Sequence, residues 1–189
     1  GKVHALGTSW DVNFDMDSGG RRLQALSSNT DAAMSLLADV TLHPSFPDAE
    51  VERARQDRLA DLIQAKDSPD QAATRVFLPA MYGPGHPYGH TILGNEAAIK
   101  KITRDDLVRY HETQHTPGNA ALVLVGDVTQ AQARKLAESL FGAWQGATPP
   151  RPALPAGAAA TSRIVIVDKP GTPQTRLLMG QIGLPRNSA

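Results

Sequence analysis

Residues 109–128 read RYHETQHTPGNAALVLVGDV. The first half closes a helical period that opens at Thr103, and Pro117-Gly118 end it at once. The second half, AALVLV at 120–125, is the longest apolar run of the chain and reads as a buried strand. It is far shorter than a membrane span.

Upstream of this stretch, SWDVNFDMD alternates Trp10, Val12, Phe14 and Met16 with polar neighbours, the period of a half-buried strand. Ser18-Gly19-Gly20 turns it, and RRLQALS returns as a second strand. A helix is expected from Thr30, with Ala33, Leu36, Leu37 and Val40 on one stripe, stopped before Pro44. Another follows Pro47-Asp48 through EVERARQDRLADLIQAK. A third begins after Pro69, and Pro79 late in it predicts a kink or an early end. GPGHPYGHTILG is a loop. EAAIKKI and TRDDLVRYHETQ are short helices, the second opened by Thr103 with Asp106 at capping-box spacing. Downstream, TQAQARKLAESLFGAW is an amphipathic helix, and ATPPRPALPAGAAAT at 147–161 is a Pro/Ala linker. RIVIVDKP and QTRLLMGQIGLP are expected to be two more strands. Strands that arrive in hairpins and helices that arrive in runs make the class α+β rather than alternating βαβ.

Bulk properties narrow the function. The 189 residues carry 19 basic and 19 acidic side chains, so the chain lacks the cationic footprint of a nucleic-acid or anionic-membrane binder. With no cysteine there is no disulfide framework, thiolate metal site or thiol nucleophile. The amino end GKVHALGTSWDV reads as neither a signal peptide nor a domain start, and both ends look cut from a longer chain.

HETQH at 111–115 matches H-E-x-x-H, in which two histidines one helical turn apart bind zinc and the glutamate serves as general base. The motif lies in the last turn of its helix. In one zincin subclass a third histidine follows a downstream glycine; Gly118 fits, but the ligand position is Ala121, inside the apolar strand. The competing reading is packing: Leu107, His111 and His115 share one stripe, and near a helix C-terminus the imidazoles would be comfortable when protonated. Glu112 is then a solvated carboxylate. His86 and His90 in HPYGH have the same spacing within a loop, where it does not place two rings together.

The order of landmarks carries a resemblance. LLADVTLHPSFPDAEVERAR at 36–55, HPYG at 86–89, Gly94, Ile99, ITRDDL at 102–107, TPGNAALVLVGDV at 116–128, SLFGAW at 139–144 and VDKPGTPQT at 167–175 come in sequence. Together they resemble the pitrilysin/insulinase family of zinc metallopeptidases, which includes the mitochondrial processing peptidase subunits. The resemblance implies an antiparallel β-sheet covered on one side by helices. It also implies that residues 1–146 are a truncated peptidase-like domain, 147–161 a linker, and 162–189 the opening strands of the next homologous domain. Active members carry an inverted motif, H-x-x-E-H, and a distal glutamate on a following helix. No H-x-x-E-H occurs in this chain, and its place in the family order falls before Gly1. At the distal site, Ala54 stands where a supporting glutamate belongs and Asp61 where the ligand belongs. In the same alignment HETQH falls where the family has no zinc chemistry.

The resemblance therefore implies a non-catalytic domain of a zinc endopeptidase. It would need no cofactor of its own, while zinc would sit in a homologous catalytic half. Its partners would be that half and a peptide substrate, in a bacterial periplasm or cytoplasm. Two other readings stay open: a zinc enzyme using His111, Glu112 and His115, and an interaction subunit with no peptidase role.

Overall fold

The computed structural model describes residues 9–151, 153–155 and 162–184. They fall into two compact units. One holds the stretch up to Asp48 together with Thr103–Arg151; the other holds Ala49–Ile102 and the described residues after Arg151.

The first unit opens with the expected hairpin. Strand β1 (Ser9–Phe14) pairs antiparallel with β2 (Gly19–Gln24), Trp10 opposite Leu23 and Phe14 opposite Gly19. The turn is held by Asp15, whose carboxylate accepts the backbone N–H groups of Asp17 and Ser18 at 2.8 and 2.7 Å. Aspartate favours such turns because its side chain supplies a local acceptor. At Gly19 a Cβ would lie 2.5 Å from the Phe14 ring, so any side chain there would have to push that exposed ring aside.

Helix α1 (Thr30–Leu42) buries Ala33, Met34 and Ala38 and ends before Pro44, which disfavours helical geometry at His43. It packs against a helix much further along the chain, Gln130–Phe141. Between them in sequence lies Arg104–Gln114, opened by a full capping box of Thr103 and Asp106. Arg104 ties this helix to the Ser45–Phe46 backbone, donating to the Phe46 carbonyl at 2.9 Å and the Ser45 carbonyl at 3.1 Å.

In the second unit, α2 (Asp48–Asp67) starts at the boundary and buries Leu62 and Ala65. Helix α3 (Pro69–Tyr82) begins at an Ser68 cap with Pro69 in the first turn, where its missing N–H costs nothing. It runs through Pro79 and ends three residues later at Tyr82, followed by the cap residue Gly83, whose φ of 90° suits glycine. The early end expected at Pro79 does not occur, because proline so near the terminus forfeits only one backbone bond. Helix α4 (Glu96–Lys101) is capped by Asn95 and buries Ile99. Continuing the numbering, Arg104–Gln114 is α5 and Gln130–Phe141 is α6.

The chain is thus mostly helical, with one two-stranded antiparallel sheet among the described residues. This corrects the strand expectations at 120–125, 163–170 and 174–184: none of these segments is hydrogen-bonded as a strand. Residue 185 and those after it lie outside the described residues, as do all of 156–161. The physical reason is that a strand exists only with a ladder partner. Apolar period encodes the wish to be buried, not the presence of a neighbour. Val123, Val125, Ile164 and Ile166 consequently stand 79, 93, 91 and 87% exposed.

Candidate functional site

Two places were singled out by the sequence: the face of α2 that carries positions 54 and 61, and the HETQH turn of α5.

On α2, Ala54 and Asp61 are seven residues apart, almost two turns, and therefore share a face. Both are exposed. Ala54 offers no donor atom. Asp61 lies on the wall of a cleft of about 410 Å³ that also touches Gln64, Asp70, Thr74 and Ile92. Asp70 is already engaged by Arg176, whose Nε lies 2.7 Å from its carboxylate. No histidine lines this cleft.

At HETQH, the helix ends at Gln114, and His115 is the cap residue outside it. His111 points toward α1, its Nε2 2.8 Å from the Thr41 carbonyl oxygen. A carbonyl only accepts, so Nε2 carries the proton and is unavailable as a ligand. The two imidazoles are stacked, with centroids 5.0 Å apart and planes 22° apart. Histidine binds metal along a lone pair in its ring plane, and two rings stacked face on face do not aim those lone pairs at one point. Phe46 meets the His111 ring edge-on at 6.1 Å, and Tyr110 meets His115 likewise at 5.8 Å. Phe46 itself holds φ of 43°, a left-handed conformation that costs a non-glycine residue about 1–2 kcal/mol. Glu112 is exposed. The donors of HETQH do not fit a zinc ion in this arrangement, and neither does the Ala54/Asp61 pair. Among the described residues no group of three or more His, Cys, Asp or Glu is placed to hold a metal.

The surroundings of His115 run against one sequence expectation. His115 is held below its ordinary range, first by burial, then by Arg21 and by His111. Its Nδ1 is buried without a hydrogen-bond partner, as is the hydroxyl of neighbouring Thr116, which is 2% exposed. The comfort a helix C-terminus offers a cation is outweighed here by desolvation.

HPYGH is a turn, as read. His86 is buried, its Nδ1 accepts the Tyr88 N–H at 3.0 Å, and its ring stacks on Tyr82 at 5.1 Å. His90 is exposed.

What the sequence reading missed is Arg55. Its side chain, 17% exposed, pairs with Glu52 and donates to the carbonyls of Ile99 and Ile102, the open C-terminal end of α4. In sequence Arg55 was only one of a run of charges, and nothing local marks it.

The geometry can be set beside known proteins. Residues 101–189 match the model of a family described as the peptidase M16 inactive domain. An uncharacterized zinc protease of Mycobacterium leprae is 27% identical over 148 residues, 71% of this chain and 33% of the relative. The Schizosaccharomyces pombe protein named probable mitochondrial-processing peptidase subunit beta is 30% identical over 113 residues, 58% of this chain and 24% of the relative. The crystal structure of a peptidase M16 inactive domain from Pseudomonas fluorescens superposes with a TM-score of 0.76 at 26% identity, covering 83% of this chain and 38% of that one. The chain thus spans a quarter to a third of the length of these two relatives. No helix of the described residues is long and apolar enough to cross a membrane. The ordered landmarks, the fold match and the family match agree: the chain is similar to peptidases of the M16, or pitrilysin, family, and its residues 101–189 match that family's inactive domain.

Proposed function

We propose that this chain is the non-catalytic, chamber-forming domain of a zinc-dependent metalloendopeptidase whose metal is carried by a homologous half. The observation that carries the reading is the match of residues 101–189 to a domain described as inactive. The packed imidazoles of HETQH and the missing carboxylate at Ala54 support it. In this reading residues 1–146 are the peptidase-like domain, 147–161 the linker and 162–189 the opening strands of the next homologous domain. The compartment is a bacterial periplasm or cytoplasm.

The division of labour is chemically reasonable. Cleaving a peptide in a closed chamber requires zinc and a general base on one wall only. The opposite wall has to orient the substrate and keep bulk water out, tasks that need surface rather than metal. Open strand-like segments are suited to it, since an extended peptide can add to an unpaired backbone edge.

The test is zinc per chain in the purified protein after dialysis against a mild chelator, with peptide cleavage measured alongside. Zinc near zero and no cleavage is the expected result. Zinc near one per chain, abolished by His111→Ala, with cleavage lost on Glu112→Gln, would overturn the reading and make HETQH a working site.

A further inference from the structure

The second unit carries a groove that the proposed function does not use. It lies along α2 beside α3 and α4, encloses about 670 Å³, and has a floor of Leu59, Leu62 and Ile63. Its rim is Lys66 from α2, Arg75 from α3 and Lys100 from α4. Ile63, part of that apolar lining, is 63% exposed, an aliphatic side chain left in water beside these cations.

The charges do not cancel. Glu96 is the only carboxylate on the groove wall, and Lys100 takes it at 2.8 Å. That hydrogen bond and charge, with Lys66 adding to them, hold Glu96 below the usual carboxylate range, so it stays ionised and satisfied. Among the described residues, neither Lys66 nor Arg75 has a carboxylate within ion-pair distance. A fourth cation is close by, for the Lys169 ammonium donates to the main-chain carbonyl of Lys66 at 2.8 Å. An excess of positive charge around an apolar floor selects a ligand with carboxylates beside an aliphatic anchor. Nucleic acid would meet the rim but gain nothing from the floor, and the chain as a whole has no net positive charge.

Dimension agrees with chemistry. The lining positions 56, 59, 63 and 66 of α2 form one stripe. Ten residues of helix rise roughly 15 Å, the reach of about four or five extended residues at ~3.3 Å each. We infer that this groove is a docking site for an acidic polypeptide segment of a partner protein, bound extended, with an aliphatic side chain over Ile63 and flanking carboxylates on Lys66 and Arg75. The inference rests on the groove alone and stands whether or not the chamber reading holds.

The probes are three fluorescein-labelled octapeptides, alternating Glu/Leu, Glu/Ser and Lys/Leu, titrated against the full chain by fluorescence anisotropy. The Glu/Leu peptide is expected to bind, and the other two to bind at least tenfold more weakly. Lys66→Glu with Arg75→Glu should weaken Glu/Leu binding tenfold or more and improve Lys/Leu binding. The milder Lys66→Gln with Arg75→Gln should give an intermediate loss, and Ile63→Asn a loss for Glu/Leu alone. Because exposed apolar segments elsewhere can bind leucine unspecifically, the titration is repeated on Ile164→Lys with Ile166→Lys, where affinity should be unchanged. Equal binding of Glu/Ser, which means charge without a pocket, would overturn the inference. So would indifference to the Lys66 and Arg75 variants, loss on the Ile164/Ile166 background, or no binding at all.

Discussion

His115 shows how a single side chain can mislead a motif and still matter. Burial, Arg21 and His111 hold its imidazole below the ordinary range. In the unfolded chain a histidine titrates near about 6.5. As pH falls through that value, the unfolded chain takes up a proton that the folded chain refuses, so stability is lost on acidification until pH passes the lower folded value. The urea midpoint of the wild-type chain should therefore fall between about pH 7.5 and about pH 5, the window around the unfolded value. In His115→Gln that part of the profile should flatten. An unchanged slope in the variant would mean the ring is not held neutral by its surroundings. The sequence displayed the H-E-x-x-H spacing, and spacing alone is satisfied equally by a zinc site and by two stacked rings. What separates them is where the ring planes lie, and that depends on Thr41 and Phe46, remote in sequence.

At the scale of elements, the local signals were faithful. Helix α5 begins at its Thr103/Asp106 box, α6 at a Thr129/Gln132 box, and α3 at Ser68-Pro69. These are short-range hydrogen bonds, which is why a reader of sequence can find them. The junction of α2 with α4 is different in kind. Arg55 reaches across 44 and 47 positions to cap the carbonyls of Ile99 and Ile102. Removing it in Arg55→Ala would leave the partly buried Ile99 carbonyl without this donor and expose the Ile102 carbonyl to water, a loss of about 1.5–3 kcal/mol for hydrogen bonds to a charged group. Arg55→Lys should recover part of this, because one ammonium lacks the fork that spans two acceptors. Thermal denaturation of the two variants would check it, and an Arg55→Ala melt equal to wild type would show the bonds to be incidental. The ion pairs of Arg53 with Glu50 and Asp57, exposed on the same helix, should by contrast be nearly silent.

For the whole molecule, the notable quantity is what is left uncovered. Among the described residues the buried apolar side chains are few: Ala33, Met34 and Ala38 in one unit, Leu62, Ala65 and Ile99 in the other. Meanwhile Ile164 and Ile166 are 91 and 87% exposed, with Val165 and Val167 between and after them about half exposed. Leu177 and Met179 repeat the pattern. An unpaired, extended, β-branched segment is a template for strand addition. The chain on its own should therefore self-associate as concentration rises. Ile164→Lys with Ile166→Lys should return it to monomer, as read by sedimentation velocity. A wild-type chain that stays monomeric at high concentration would show that these segments find cover within it.

The amino-acid sequence determined the helices, their caps, the β1–β2 hairpin and the resemblance to a family, because each rests on local periods or on an ordered set of short motifs. Tertiary structure alone decided the rest. It set the two imidazoles of HETQH face to face, gave Arg55 its carbonyls, gathered Lys66, Arg75 and Lys100 from three helices, and left the apolar runs after Ala120 and Arg163 without strand partners among the described residues. A hydrogen-bond ladder and a converging set of ligands are relations between distant residues. A one-dimensional pattern states only what each residue can offer, and the neighbour that accepts the offer is found in space.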